Sequence, residues 1–261
     1  MAIRPAAPAD GIAWVTGASS GIGRAVALTL ARDGFRVAAS ARGAEALAEL
    51  AAEAASAGLS VEPFPLDVTD PTAAAAVVAR IEAEAGPIAL AVLNAGIYLP
   101  VSGDTLDPEA FRTSFRVNLE GTVNTLAPVL ARMRERGQGQ IAIVSSVAGY
   151  RGLPTSAAYG ATKAGLINMA ESLKFDCDRM GVKLQVVNPG FVDTPATRRN
   201  EFPMPALMPV DTAAERLVLG LASASFEITF PRRFTWWLKL GRILPYRAYF
   251  ALASRIMGTR N

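Results

Sequence analysis

The 261-residue chain contains no histidine and a single cysteine, Cys177. Without histidine there is no Ser-His-Asp hydrolase, no histidine-ligated zinc and no H-E-x-x-H chemistry. One thiol builds neither an internal disulfide nor a thiolate metal cluster, and it suits a reducing compartment. Acid–base chemistry must then come from Tyr, Lys, Asp or Glu. No charge-free apolar run of about 20 residues occurs, so no membrane span is expected. Residues 1–10 are Pro/Ala-rich and lack the apolar stretch of a secretion signal, which makes a cytoplasmic location the expectation. The last absence is local: residues 232–261 hold seven Lys and Arg but no Asp or Glu. The chain is +3 overall and this tail is +7, so the remainder is −4. The basic balance belongs to the tail, and the chain as a whole is not expected to bind nucleic acid.

What is present alternates between two periods. Short apolar runs read as strands at Gly11 to Thr16, Phe35 to Ser40, Val61 to Leu66, Ile88 to Leu93, Ile141 to Val144, Val182 to Val187 and Phe226 to Phe230. Helical patterns separate them, among them Ala44 to Ala57, Asp107 to Phe115, Val117 to Arg134, Ser156 to Met180 and Asp211 to Ala222, the last capped by Asp211. The alternation carries no composition break. It predicts an α/β fold, a doubly wound parallel sheet with helices on both faces. Residues 1–230 read as one domain, and 231–261 as an amphipathic extension of it.

The first strand runs into Gly17-Ala18-Ser19-Ser20-Gly21-Ile22-Gly23 and then a helix. Glycines there let the backbone approach a pyrophosphate, and the helix N-terminus offers free N–H groups. Strand two ends on Ser40-Ala41-Arg42, where a carboxylate would hold a ribose 2′-hydroxyl. An arginine instead suits a 2′-phosphate, which favours NADP while leaving NAD open. At the end of strand three, Asp67-Val68 is placed to meet an adenine, with helix capping the alternative for Asp67; Asp70 is the expected cap of the helix starting near Pro71. Strand four runs into Asn94-Ala95-Gly96, small enough for backbone contact with a ribose. Asn94 serves equally as a tie between strand ends. Asn118 lies inside a helical pattern, where asparagine needs a reason such as a bound water or a kink.

Tyr159 and Lys163 are four apart on one helix and share a face. A free tyrosine titrates near 10, and bringing it near 7 takes about 4 kcal/mol. A neighbouring ammonium and a cationic nicotinamide act in that direction. So tuned, the phenol is a general acid toward a ketone or a general base toward an alcohol. Ser146 lies thirteen residues before Tyr159, at a strand's C-terminal end, where ligands sit in such sheets.

Together, TGASSGIG (Thr16 to Gly23), NAG (Asn94 to Gly96), Asn118, Ser146, Tyr159-x-x-x-Lys163 and Pro189-Gly190 occur in one order. The chain resembles the short-chain dehydrogenase/reductase family over roughly Gly11 to Phe230. The resemblance implies a Rossmann sheet of seven parallel strands, residues 1–230 as the NADP-binding catalytic domain, and hydride transfer between NADPH and a carbonyl or secondary alcohol. It makes Tyr159 the acid/base, Ser146 the carbonyl's hydrogen-bond partner, Lys163 the tuner of Tyr159 and Asn118 the holder of a proton-relay water. The cofactor would be lined by Gly17, Ser19, Ser20, Gly21, Ile22, Gly23, Arg42, Asp67, Val68, Asn94, Ala95, Gly96, Tyr159, Lys163, Pro189, Gly190, Val192 and Thr194, with Lys163 on the nicotinamide ribose. It also implies a homodimer or homotetramer joined through the helices of Asn118 and Tyr159, and the small residues Ala157, Ala161, Ala164 and Gly165 suit close packing there. The competing readings are a non-catalytic NADP-binding regulator and a membrane-associated scaffold.

Thr194 to Met208, rich in Pro, Met and Arg, reads as a mobile flap whose Arg198 and Arg199 could meet an acidic group. Beyond it, apolar residues at 237, 240 and 244, then 246, 249, 250, 253 and 257, follow helical spacing on either side of Pro245, with arginines and one lysine interleaved. This is the pattern of a membrane-surface helix acting on a lipophilic substrate's protein, or of a helix folded over the pocket or a subunit interface.

Overall fold

Strand β1 (Ile12–Thr16) is buried at every position, as a strand covered on both faces must be. Its side chains alternate. Ala13 and Val15 join one apolar layer, while Ile12 and Trp14 join the other. The structure is a computed structural model describing residues 3–104, 106–199 and 204–257. Around β1 stand β2 (Val37–Ser40), β3 (Val61–Pro63), β4 (Ile88–Leu93), β5 (Gly139–Val144), β6 (Val182–Pro189) and β7 (Glu227–Phe230). They form one seven-stranded sheet, β3-β2-β1-β4-β5-β6-β7, with every pair parallel.

Helices α1 (Gly21–Arg32) and α2 (Ala44–Ser56) cover one face together with α7 (Val210–Leu221). Helices α3 (Pro71–Glu84), α5 (Gly121–Arg136) and α6 (Ala157–Arg179) cover the other, and α4 (Pro108–Phe115) leads into α5. Leu30 and Leu47 on the first side, and Ile81, Met133 and Leu166 on the second, are fully buried. Each contributes about 1.5–3 kcal/mol through burial. The fold class read from the sequence is the fold observed.

Several boundaries differ for local reasons. Phe35 is not in β2, because its N–H bonds the Leu30 carbonyl at 3.1 Å and closes the end of α1. β3 is short because Pro63 and Pro65 lack donors. Phe64 and Leu66 still donate to Ala39 and Ala41, the arrangement proline permits on an edge strand. Asp211 does not cap α7. It lies in the first turn, after Pro209 at the cap position. Asp70 does cap α3, accepting from the Thr72 and Ala73 N–H groups at 2.9 Å. The mid-helix Asn118 has its explanation too: Arg116–Glu120 is a π-helical turn between α4 and α5, a form common at functional positions.

In the expected flap, Thr197–Arg199 is a single 3₁₀ turn. Its base is tied by Asp193 and Met208, whose backbones bond at 2.8 Å. Arg198 pairs with Asp193 at 2.9 Å. Residues 200–203 and the Arg199 side chain lie outside the described residues.

After β7 come α8 (Arg232–Ile243) and α9 (Tyr246–Met257), parted at Pro245. Glu227 anchors α8 to the sheet through Lys239. Burial pushes the Glu227 carboxyl up, but bonds from Lys239, Tyr150 and Asn188 outweigh it and hold the group below its usual range.

Candidate active site

The strand order reverses at β1, since β2 lies on one side and β4 on the other. A crevice opens at the C-terminal ends of strands around such a point. Here it is a cleft of about 530 Å³. Its floor is the loop after β1. Gly17 sits at φ +68°, and a Cβ there would stand 2.8 Å from the Ala95 Cα. Asn94 closes the same corner by donating from Nδ2 to the Thr16 carbonyl at 3.0 Å, while its own N–H bonds Thr16 Oγ1 at 3.0 Å. Asn94 therefore ties the ends of β1 and β4, and it also lines the cleft.

Helix α1 opens into the cleft without a side-chain cap at Ser20 and without an acidic residue in its first turn. Its leading N–H groups and positive dipole end are directed to an anion's natural seat. Farther along, exposed Arg42 and Asp67 line the rim. Asp67 Oδ1 accepts from the Thr69 N–H at 2.9 Å and the Thr69 hydroxyl at 2.8 Å. That backbone bond, with a smaller effect of Arg42, holds its carboxyl below the usual range. A glycine floor, an uncapped helix N-terminus and an arginine on the rim fit a dinucleotide with its pyrophosphate.

At the other end Ser146, Tyr159 and Lys163 meet. Lys163 is 3% exposed, and its Nζ donates to the Val144 carbonyl at 2.9 Å. The ammonium stands 5.5 Å from the centre of the Tyr159 ring. Tyr98 meets that ring edge-on, with centroids 5.2 Å apart. Burial pushes the Lys163 amine down to about 8. It also pushes the Tyr159 phenol up to about 12, while a hydrogen bond from Ser146 pulls the other way. The expected lowering of Tyr159 by Lys163 is not what the chain's own residues produce. Burial is the largest cause of the rise, and Tyr98 adds to it.

Asn118 does not line the cleft. It is fully buried behind it, accepting from the Ile97 N–H at 2.8 Å and donating to the Ile97 carbonyl at 3.0 Å and Thr162 Oγ1 at 3.1 Å. Thr162 Oγ1 in turn donates to the Tyr159 carbonyl at 2.7 Å. Through Thr162, Asn118 is thereby linked to the turn that carries Tyr159. Gly23 lies just behind the cleft wall, packed against the loop after β1. A Cβ at Gly23 would lie 2.3 Å from the Gly17 oxygen and 2.5 Å from Asn94 Nδ2.

The other expected residues line the cleft: Gly17, Ser19, Ser20, Gly21, Ile22, Arg42, Asp67, Val68, Asn94, Ala95, Gly96, Ser146, Tyr159, Lys163, Pro189, Gly190, Val192 and Thr194. The sequence reading missed Tyr98, Leu153, Pro154 and Phe191, which form the apolar walls near Tyr159. They sit in loops without periodicity, so no pattern marks them.

The sequence matches the short chain dehydrogenase family over residues 11–203. It is 41% identical over 244 residues to an uncharacterized oxidoreductase of Myxococcus xanthus, covering 94% of this chain and 96% of that protein. It is 36% identical over 190 residues to the 3-oxoacyl-(acyl-carrier-protein) reductase FabG of Escherichia coli, covering 72% of this chain and 75% of that one. Among solved structures, a short-chain dehydrogenase from Streptomyces avermitilis superposes with a TM-score of 0.78 at 27% identity, over 96% of this chain and 98% of that one. With a reversed parallel sheet, a glycine-floored crevice and a tyrosine–lysine pair at its far end, the chain belongs to the short-chain dehydrogenase family.

Proposed function

We propose that this oxidoreductase reduces the carbonyl of a lipophilic ketone, or oxidises the matching secondary alcohol, with NADPH as preferred cofactor. The observation that carries the reading is the convergence of Ser146, Tyr159 and Lys163 on the cleft that Arg42 and the α1 N-terminus also face. NADP preference rests on Arg42, since no carboxylate stands at the end of β2 to hold a 2′-hydroxyl. The FabG relative is named for reducing a 3-oxoacyl group. Here Leu153, Pro154, Phe191 and Ile97 give the reacting end an apolar lining that suits such a chain.

A bound NADPH supplies the hydride. The chain's residues do the rest. The α1 N-terminus would hold the pyrophosphate, Arg42 the 2′-phosphate, and Lys163 the nicotinamide ribose. Ser146 donates a hydrogen bond to the carbonyl oxygen and polarises the C=O. As negative charge grows on that oxygen, the Tyr159 hydroxyl gives it a proton. A phenol held near 12 is fully protonated at neutral pH, so it enters as a donor, which favours reduction. Lys163, cationic below about 8, stabilises the phenolate left behind. The donors are fixed before reaction, which is where such catalysis gains most.

A non-catalytic NADP binder has no use for Ser146. The test is NADPH oxidation against ketones of increasing chain length. Tyr159→Phe should lower kcat by at least about a hundredfold while leaving the NADPH Kd from calorimetry unchanged; turnover surviving in that variant ends the mechanism. The same reading includes peripheral membrane contact through residues 231–261 and assembly into a homodimer or homotetramer. Phe175 is 72% exposed and Val123 45%. Ala157, Ala161 and Ala164 face outward on α6. Light scattering on wild type and Phe175→Glu tests that interface.

A further inference from the structure

Helix α8 is apolar on two sides. Phe234 packs against Phe191, with ring centroids 5.8 Å apart, and Thr235 and Gly241 are buried beside it. Those residues satisfy the core. Yet Trp236, Trp237, Leu240 and Ile243 point outward, at 63%, 75%, 45% and 79% exposure. They fall at i, i+1, i+4 and i+7, one stripe of the helix. In α9, Tyr246 and Phe250 continue the exposed set, stacked at 6.0 Å. Among the described residues, seven of the thirteen exposed large hydrophobics lie in the segment 236–252. Scattered exposed apolar residues are ordinary, but a concentration of this kind marks a surface that meets something.

The charge says what. Arg232, Arg233, Arg247 and Arg255 are exposed, and among the described residues none of them meets a carboxylate. No acidic residue follows Glu227 in the chain. A second copy placed on this face would set like charges against each other. A nucleic acid would satisfy the arginines and strand the two tryptophans and Ile243 in water. An anionic lipid surface satisfies both sets, since headgroups meet the guanidiniums and the interfacial zone takes Trp and Tyr side chains. Among the described residues no helix is long and apolar enough to cross a membrane, so contact would be interfacial.

We infer that α8 and α9 form a docking surface for anionic membranes. Helix α8 abuts the cleft wall: Phe234, on its inner side, packs against Phe191, and Phe191 lines the cleft. Binding does not depend on the reaction proposed above, and its readout involves no turnover.

The experiment is co-sedimentation of the full-length protein with vesicles of phosphatidylcholine alone and of phosphatidylcholine with phosphatidylglycerol, at low and high salt. Wild type should bind the anionic vesicles, weaken at high salt, and bind the neutral ones poorly. Trp236→Ala/Trp237→Ala should lower partition at least tenfold at an unchanged melting temperature. Arg232→Gln/Arg233→Gln/Arg247→Gln should lose about fivefold per arginine, on anionic vesicles only. Equal sedimentation with and without vesicles overturns the inference, as does unchanged binding by the tryptophan variant. If the tryptophan variant instead converts a wild-type oligomer to a smaller species and wild type ignores vesicles, the face belongs to a second copy. If duplex DNA, but no vesicle, binds in a salt-dependent way, it belongs to a nucleic acid.

Discussion

Replacing Lys163 by Met should remove turnover and make the protein more stable. Lys163 is 3% exposed and keeps one protein partner, the Val144 carbonyl. Burial lowers its amine from 10.5 to about 8, a gap corresponding to roughly 3 kcal/mol. Below about 8 the folded protein carries that cost in full, because both folded and unfolded chains hold the proton. Between about 8 and 10.5 the unfolded chain binds a proton that the folded chain does not, so stability rises with pH. Tyr159 acts the other way. Its phenol is raised from 10 to about 12, so its contribution is lost as pH climbs through that range. Cys177, raised by burial from 9 to about 11, acts the same way from about 9 upward. Lys163 therefore dominates between about 8 and about 9. Above that, subtracting the variant's curve from wild type's removes the other two groups. In Lys163→Met the burial cost disappears, and the lost hydrogen bond to Val144 costs about 1 kcal/mol. The variant should be about 2 kcal/mol more stable at neutral pH, or about 4–8 °C higher in Tm. Urea unfolding of both proteins without added nucleotide, from neutral pH to about pH 10, measures the difference. The gap should close as pH rises. A gap that is constant with pH, or a variant weaker than wild type at neutral pH, would refute the idea that this cation is held at the expense of stability.

Three further substitutions probe other parts of the cleft and its supports. Arg42→Ala should raise the NADPH Kd about tenfold to a hundredfold and leave NADH binding unchanged, since one charge-assisted contact is worth about 1.5–3 kcal/mol; equal losses for both nucleotides would remove the 2′-phosphate role. Gly23→Ala should destabilise by about 1–3 kcal/mol and weaken nucleotide binding together, because the added methyl meets the Gly17 oxygen at 2.3 Å; a folded variant with native affinity would show that the corner can relax. Arg151→Ala should free α8 and α9. Its guanidinium donates to the Gly241 and Leu244 carbonyls and lies over Tyr249 at 4.1 Å, so hydrogen exchange should speed up about tenfold or more in those helices while the sheet stays protected.

The fold was legible because its parallel strands are buried on both faces and stand out as runs such as Ile88–Leu93. Strand ends were less so: Phe35 is apolar yet spends its N–H on a helix terminus. The cofactor end was legible because glycine, arginine and helix starts carry local geometry in their identity. The reacting end was legible only in part. Tyr159 and Lys163 share a helix face, but their ionisation depends on how tightly β5 and the loop after it enclose them, and no spacing reports that. Nor does the sequence announce that Asn118 reaches across to Ile97 and Thr162, contacts 21 and 44 residues away. Arg151 gave no signal at all, being one surface arginine among many until α8 and α9 fold against it.

That arginine joins the two halves of the molecule's chemistry. The stretch from Ser146 to Ser156 begins beside β5, where Ser145 Oγ donates to the Lys163 carbonyl at 2.7 Å. Its middle is held by the C-terminal helices through Arg151, and through Tyr249, whose hydroxyl donates to the Gly152 carbonyl at 2.6 Å. Leu153 and Pro154, which follow at once, line the cleft. A surface that orders α8 and α9 must therefore restrain this loop, since the bonds that hold the helices also hold the cleft wall. Hydrogen exchange on vesicle-bound protein should show protection in residues 147–156 as well as in 232–257, and Arg151→Ala should confine it to the helices. Protection of the helices alone in wild type would mean that the clamp transmits nothing, and that membrane contact and access to the cleft are separate properties.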